Sequence, residues 1–278
     1  MFPTRYLGLN SECKEQLELE NRFILHKFVD MPNRKIGIEV TQQGEKHTLL
    51  IEQIVAFFLT RIKKFYENAD LNSKEFVITV PSYFTNVERQ ALLDACDIAG
   101  IKCLRLINES TAIALQYGFF RKKDLDAKQD RKVVFVDVGH SKTTVSIASF
   151  VQEKTKMIIH RSRRNLGARD FDWQILQKIG ADFAKQYGAD PRKNTRCVLR
   201  MLEGVEKARK QLSSVPDVNI NIEYLLEEED LNAVLKRDEF EAMIDPYLRD
   251  FTDLLKETLA DSGKFQIICL WVCAPHAA

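Results

Sequence analysis

Three short segments combine residue types that could bind a phosphate or a nucleoside. The first begins at Asp137, which ends an apolar run and precedes the turn Gly139, His140 and Ser141. A carboxylate there can hold magnesium through water, and successive turn amides can bind phosphate oxygens. Asp-x-Gly turns are also ordinary hairpin chemistry. The spacing alone therefore favours a plain hairpin.

The second segment is a small-residue loop from Leu166 to Asp170 that precedes a helix. The N-H groups at a helix start, together with the helix dipole, favour an anion such as phosphate. Asp170 could equally be an N-cap residue, whose carboxylate accepts from those same amides. The residues alone favour the N-cap interpretation.

The third segment is a polar ridge formed by Glu206, Arg209 and Ser213, which are three and seven residues apart on one helix face. A carboxylate, a guanidinium and a hydroxyl in line could hydrogen-bond a ribose and clamp a purine. The alternative is a solvated face on which Glu206 pairs with Lys210 at i, i+4. Spacing alone favours that alternative.

In the first part of the chain, hydrophobic patterns predict alternating helices and strands. Periodic apolar residues indicate a helix over 49–69, and a β-rich run over 76–80 indicates a buried strand. Thr85 and Glu88 form a capping-box pattern that opens a helix ending at Gly100. A strand over 104–107, a polar turn at 108–109, a cap at Ser110 or Thr111 and a helix over 112–117 should follow.

The second part continues the alternation of strands and helices. The residues between 121 and 131 are almost all charged or amide-bearing and form the best linker candidate, although a solvated loop within one domain fits equally well. Strands are predicted over 133–138, 143–150, 220–224 and 265–273, and helices after residue 170, over 194–214 and over 238–260. This order predicts an α/β fold.

The composition narrows the possible partners. The chain has 278 residues and 41 Lys and Arg against 40 Asp and Glu, a net charge of +1. That balance argues against nucleic acid or an anionic membrane as the main partner. The six cysteines show no metal-binding spacing, so we expect thiols in a reducing compartment. No apolar run is long enough to span a bilayer, and we expect a soluble, cytoplasmic protein, with the nucleus as an alternative location.

Four segments closely resemble the nucleotide-binding domain of the heat-shock 70 chaperone family when they are read in order. They lie at 76–84 (FVITVPSYF), 98–118 (IAGIKCLRLINESTAIALQYG), 165–172 (NLGARDFD) and 205–214 (VEKARKQLSS). The resemblance runs from about Thr4 to Gly263. The VDVGHS segment at 136–141 is similar to the heat-shock 110 branch, which has Gly-His-Ser where active chaperones have three glycines.

The resemblance implies an actin-like ATPase fold of two ribonuclease H-like lobes, incomplete at both ends. Residues 1–120 would be the remainder of lobe I, 121–131 a connecting loop, 132–263 a partial lobe II and 264–278 a divergent tail. The implied ligand is ATP or ADP with magnesium, and Asp137 would approach the metal through water and is the only catalytic candidate.

Residue roles carry over from the family position by position. Gly139, His140 and Ser141 match the second phosphate loop, and Gly167 matches a phosphate-contacting glycine. The positions of Glu206, Arg209 and Ser213 match residues that contact the nucleoside. Pro81, Arg89 and Glu109 match residues that couple the two lobes.

The chain also departs from the family at places that hydrolysis requires. The family's first phosphate loop would precede residue 1, and Thr4 stands at the position of the catalytic lysine. A hydroxyl does not supply the cation that stabilises a transferring phosphoryl group. The Gly-Gly turn that covers adenine is replaced by residues 274–278. The sequence therefore leaves open whether the chain is an enzyme.

The function expected from the resemblance is that of a heat-shock 110-like chaperone and nucleotide exchange factor for a heat-shock 70 partner. Unfolded proteins would be clients of a full-length form, and neither nucleic acid nor membrane is an expected partner. The alternatives are an ATP-hydrolysing folding chaperone and a truncated inactive fragment.

Overall fold

A computed structural model of the chain describes residues 3–24, 26–69, 75–125, 130–152, 154–261 and 269–273. The chain divides into two compact units, Met1–Glu109 and Ser110–Ala278. This division lies before the lobe boundary that the sequence predicts at residue 120, because helix Glu109–Phe120 contributes Ala114 to a core cluster of the second unit. The assignment of residues 121–131 as the connecting loop stays a prediction.

The first unit contains two sheets and three helices among its described residues. Its elements are α1 (Lys14–Asn21), β1 (Phe28–Asp30), β2 (Ile36–Gln42), β3 (Glu45–Leu50), α2 (Ile51–Asn68), β4 (Glu75–Val80), α3 (Asn86–Ile98) and β5 (Lys102–Asn108). Strands β1, β2 and β3 form an antiparallel sheet, whereas β4 and β5 pair in parallel. The parallel pair with its intervening helix is the βαβ arrangement that the alternating pattern predicts.

The buried face of α2 differs from the apolar stripe that helical periodicity predicts, which consists of Ile51, Ile54, Val55, Phe58, Ile62 and Phe65. Ile51 and Val55 are buried as the periodicity indicates, but Phe58 and Phe65 are 54% and 62% exposed. The core of this unit instead receives Ala56 and Leu59 from α2. Large aromatic residues at helical spacing therefore do not identify the packed face by themselves.

The ends of α3 follow the sequence pattern. Glu88 Oε2 accepts a hydrogen bond from the Thr85 amide at 2.6 Å, which is the carboxylate half of a capping box. At the other end Gly100 adopts a φ of 63°, and its amide and that of Ile101 donate to carbonyls of the last helical turn. Both predicted boundaries of this helix are confirmed.

The second unit is built on a four-stranded sheet and a two-stranded hairpin. Its elements are α4 (Glu109–Phe120), β6 (Arg131–Val138), β7 (Lys142–Val151), β8 (Lys154–Arg164), α5 (Ala168–Tyr187), α6 (Thr195–Gln211), β9 (Asp217–Leu226), β10 (Glu229–Lys236), α7 (Arg237–Asp261) and β11 (Cys269–Cys273). The sheet order is β11-β6-β7-β8, with β11 parallel to β6 and the other pairs antiparallel.

Several sequence expectations for the second unit need correction. The predicted polar turn at 108–109 and a cap at Ser110 or Thr111 are wrong, because α4 begins at Glu109 directly after β5. Strands β8 and β10 were not predicted. Of the strand expected over 265–273, the structure has Cys269–Cys273, and residues 265–268 lie outside the described residues, as do 274–278.

Helix α7 covers one face of the four-stranded sheet. Leu254, which is fully buried, packs in a cluster with Val134, Val136, Ile147 and Leu166. Burial of such side chains stabilises the unit in proportion to the apolar area removed from water. The sheet and α7 together hold the end of β6 and the segment before α5 in place.

Replacing Leu254 with alanine should lower the free energy of unfolding by about 2–5 kcal/mol, because it leaves a cavity in this cluster. Urea unfolding followed by circular dichroism measures the loss. Leu248→Ala is the matched control, since the same residue type in the same helix is 45% exposed there, and it should change stability by about 0.5 kcal/mol. Equal losses in the two variants would contradict this packing.

Candidate functional site

The turn at Gly139, His140 and Ser141 connects two central strands of the second unit. Strands β6 and β7 pair up to Val138 and Thr143, and the Gly139 amide donates to the Lys142 carbonyl at 2.8 Å. The turn is thus a tight hairpin, as the spacing indicates. Its position at the end of β6 also places it beside the start of α5.

Backbone hydrogen bonds join this turn to the start of α5. The Ala168 amide donates to the Gly139 carbonyl at 3.1 Å, and the Arg169 amide donates to the His140 carbonyl at 2.8 Å. The preceding segment is attached too, since the Asn165 amide donates to the Ser141 carbonyl at 3.1 Å. Carbonyl groups of the turn therefore accept hydrogen bonds from the first amides of the helix.

The remaining amides at the helix start are also engaged. The Gly167 amide donates to Asp170 Oδ2, and the Asp170 amide donates to the Gly167 carbonyl, both at 3.0 Å. Gly167 is the N-cap residue and Asp170 lies at the third helical position, so the expectation that Asp170 is the N-cap is wrong. An anion at this helix start would have to displace acceptors of the chain itself.

Gly167 lies too close to the turn to carry a side chain. A Cβ atom on this residue would lie 2.6 Å from both the His140 carbonyl oxygen and the Ser141 amide nitrogen. Because both are backbone atoms, the turn itself would have to move. The glycine is therefore required for the approach of the turn to α5, and its predicted phosphate contact stays a prediction.

Of the three ridge residues predicted on one helix face, Glu206 and Arg209 lie on α6, whereas Ser213 lies in the turn after Gln211, because the helix expected to reach residue 214 ends three residues earlier. Ion pairs and a hydrogen bond within the second unit hold these side chains. Arg209 Nε donates to Asp172 Oδ1 at 2.6 Å, and the Lys210 ammonium lies 3.0 Å from Glu206 Oε1. Ser213 Oγ donates to the Lys210 carbonyl at 2.7 Å. The Glu206–Lys210 pair is the alternative that spacing alone favours. If Arg209 contacts a nucleoside, its guanidinium must do so while it also donates to Asp172.

Asp172 is the partner that the sequence reasoning missed. It is almost fully buried in α5, and burial raises its pKa while the hydrogen bond and charge of Arg209 lower it. A buried carboxylate requires such a partner. The sequence indicates the burial of Asp172 only by its position four residues before Leu176, on the same face of α5. That position does not identify Arg209 as the partner of Asp172.

His140 brings the turn and the ridge into one electrostatic cluster. Its pKa is lowered from 6.5 to about 4, first by burial and then by the positive charges of Arg169 and Arg209, while Glu206 opposes the shift. The imidazole is therefore neutral near pH 7. The structure thus brings together the predicted residues of the turn with Glu206 and Arg209.

Asp137 lies at the end of β6, opposite Thr144 of β7, and is partly buried. Among the described residues no group of three or more His, Cys, Asp or Glu side chains could hold a metal directly. The sequence predicts that Asp137 contacts magnesium through water, and a single carboxylate can do so without such a group of ligands. Its role toward magnesium stays a prediction.

The three predicted coupling residues are connected within the first unit. The Pro81 carbonyl accepts from the Phe84 amide at 3.1 Å, and Arg89 Nε donates to the Phe84 carbonyl at 3.0 Å. Arg89 Nη2 also donates to Asn108 Oδ1 at 2.8 Å. Arg89 therefore ties the turn after Pro81 to the residue before Glu109. Thr4 is exposed, in the 3-10 turn Pro3–Arg5.

A depression adjoins the end of the ridge. It has a volume of about 660 Å³ and is lined by Lys210, Ser214, Asp217 and Asn219 among others. A cavity of about 590 Å³ in the first unit, lined in part by Tyr6, contains none of the predicted nucleotide residues. Only the first of these spaces lies beside candidate nucleoside contacts.

The described residues fit the nucleoside end of a nucleotide better than its phosphate end. Glu206 and Arg209 offer a carboxylate and a guanidinium on α6, and Ser213 offers a hydroxyl just beyond it. None of the three lines the depression, whose wall includes their chain neighbours Lys210 and Ser214. At the phosphate end the amides that begin α5 already donate to the chain, so binding there depends on Ser141 and the outer side of the turn. A bound nucleotide would supply the polyphosphate and its magnesium ion at this end of the site.

A four-stranded sheet whose hairpin turn closes on the next helix, beside a charged ridge, defines an α/β domain with a polar site at its strand ends. A family model described as "Hsp70 protein" matches residues 4–266. The chain belongs to this family, and its fold is the actin-like ATPase fold that the sequence predicts.

Similar proteins come from its heat-shock 110 branch. The chain is 36% identical over 247 residues to the 97 kDa heat shock protein of Strongylocentrotus purpuratus, covering 87% of this chain and 28% of that protein. It is 37% identical to heat shock protein hsp88 of Neurospora crassa (88% and 35%) and 38% identical to heat shock protein 110 of Caenorhabditis elegans (86% and 31%). The resemblance to this branch is confirmed. The chain spans roughly a third of these relatives or less.

The lowered pKa of His140 predicts a pH-dependent stability. Between pH 6.5 and about 4 the unfolded chain binds a proton at this histidine that the folded chain does not. The free energy of unfolding should therefore fall as pH drops through this interval, by at most about 3 kcal/mol. Chemical unfolding of wild type and His140→Gln at pH 7 and pH 4.5 measures it, and the variant should lose less stability in acid.

His160→Gln serves as the control, because His160 lies on the exposed side of β8. It should keep the acid sensitivity of the wild type. If His140→Gln and wild type lose the same stability between the two pH values, the lowered pKa of His140 is refuted.

Proposed function

We propose that this chain is the nucleotide-binding region of a heat-shock 110-like co-chaperone that binds a heat-shock 70 chaperone and accelerates release of its ADP. The observation that carries the proposal is the Gly139-His140-Ser141 turn, which is fixed to α5 by its own carbonyls. Its Gly-His-Ser sequence resembles the heat-shock 110 branch, whose members act chiefly as exchange factors. Membership of the heat-shock 110 branch supports the same role.

ATP or ADP binding by the chain itself is the second part of the proposal. The ridge residues Glu206, Arg209 and Ser213 would contact the nucleoside, and Asp137 would approach magnesium through water. What these residues do is orient and hold the ligand. The nucleotide would rigidify the cluster around His140, so that the second unit presents one conformation to a partner.

Hydrolysis receives little support from the described residues. Thr4 carries no positive charge, and Arg209 is engaged by Asp172. A transferring phosphoryl group requires positioned cations or donors. An ATP-hydrolysing chaperone is therefore the less favoured function, and unfolded proteins would be clients of a full-length form.

Release of fluorescent ADP from a heat-shock 70 chaperone tests the exchange function. Adding the chain should raise the release rate by about tenfold, within the usual range of coupling between binding sites. Gly167→Val should abolish most of this increase, because its side chain would displace the turn. Gly204→Ala is the control, since the nearest atoms to its added Cβ would be side-chain atoms of Ile222, at 3.2 Å, and Ile220, at 3.6 Å, rather than backbone atoms. An unchanged release rate with wild type refutes the exchange function.

Calorimetric titration with MgADP tests nucleotide binding separately. Glu206→Gln should weaken binding by roughly 10- to 100-fold, because one charge-assisted hydrogen bond contributes roughly 1.5–3 kcal/mol. Glu203→Gln is the control, since this residue lies one turn away and pairs with Lys207 at 2.8 Å. Absence of binding heat with wild type refutes the nucleotide contacts. It does not affect the exchange function, which the ADP-release experiment tests independently. Steady release of inorganic phosphate from ATP would favour the hydrolysing chaperone.

A further inference from the structure

Cys96 and Cys103 lie on either side of the chain reversal between α3 and β5. The Ile101 amide donates to the Cys96 carbonyl at 2.9 Å, and the Gly100 amide donates to the Asp97 carbonyl at 3.0 Å. With Gly100 in the left-handed region, these bonds form the Schellman motif that ends α3. The motif turns the chain back at once, so that β5, which carries Cys103, begins at Lys102, and Cys103 packs against the cluster that contains Cys96.

The two thiols belong to one hydrophobic cluster of the first unit. Cys96 lies within this cluster, and the partly buried Cys103 packs against it. Cys96 is 1% exposed, whereas Cys103 is partly exposed. Burial, followed by the nearby Cys103, raises the pKa of Cys96 to about 12, so Cys96 stays a thiol at neutral pH. Solvent and small oxidants therefore reach Cys103 first.

We propose that Cys96 and Cys103 form a reversible disulfide when the protein encounters a hydroperoxide. The Cys103 sulfur, as thiolate, attacks the peroxide oxygen, the O–O bond breaks, and Cys103 becomes a sulfenic acid while water or an alcohol leaves. The Cys96 sulfur then attacks the Cys103 sulfur, the S–O bond breaks, and water leaves with the Cys96 proton. Two thiols lose two electrons and two protons, and the peroxide is reduced. A dithiol reductant reverses the reaction by exchange.

The disulfide would fix the spacing of α3 and β5. These elements are already joined by the Arg89–Asn108 hydrogen bond at their other ends. A covalent link constrains the unfolded chain and stabilises the folded one. It would also hold in place the elements that carry Arg89 and Asn108. The proposal does not depend on nucleotide binding or exchange.

Peptide mapping of the whole chain tests the proposal directly. The protein is treated with hydrogen peroxide, its remaining thiols are alkylated, and it is digested with trypsin. Cleavage at Arg89, Lys102 and Arg105 separates the two cysteines. We expect peptides 90–102 and 103–105 to appear as one cross-linked species, lighter by about 2 Da than the sum of the two free peptides. Dithiothreitol should restore the separate peptides.

Matched variants complete the test. Cys96→Ala and Cys103→Ala should each abolish the cross-linked peptide, and Cys13→Ala should leave it unchanged. Oxidation should raise the unfolding temperature of wild type by roughly 2–8 °C and leave both pair variants unshifted. Oxidation of Cys103 to sulfinic acid without a cross-link, or a cross-link from Cys103 to another cysteine, overturns the proposal. If a pair variant fails to fold, the wild-type peptide map alone decides.

Discussion

The second unit depends on the backbone junction between the Gly139-His140-Ser141 turn and the start of α5. Its bonds satisfy two sets of groups at once, the carbonyls of a tight turn and the amides that a helix start leaves without intrahelical partners. Gly167 makes the junction possible, because any Cβ atom there would strike backbone atoms of the turn. The junction fixes where α5 begins and hence which residues of α5 face the neighbouring helix.

From this junction one chain of contacts reaches the ridge. Asp172 lies on the first turns of α5 and holds Arg209 of α6, which in turn lies near His140 of the turn. A buried carboxylate without its cation is costly, so the pair constrains both helices. Burial, followed by the positive charges of Arg169 and Arg209, lowers the pKa of His140 and keeps it neutral. Turn, helix start and ridge therefore behave as one unit rather than as separate motifs.

The heat-shock 110-like turn is compatible with this junction because it uses only backbone atoms. His140 accepts a hydrogen bond through its carbonyl, and its φ is not positive. A side chain can therefore stand at a position where active chaperones of the family have glycine, without backbone strain. Its imidazole adds a partly buried, neutral group within the electrostatic influence of Arg169 and Arg209.

The sequence by itself determined the α/β class, the boundaries of α3 and the family, because these follow from local patterns and motif order. The capping box at Thr85 and Glu88 and the left-handed Gly100 act within a few residues and can be identified directly. The boundary at Glu109, the exposed aromatic residues of α2 and the Asp172–Arg209 pair were decided only by the tertiary structure. They depend on contacts between residues far apart in the chain, and periodicity carries no information about which partner satisfies a buried charge or covers an apolar face.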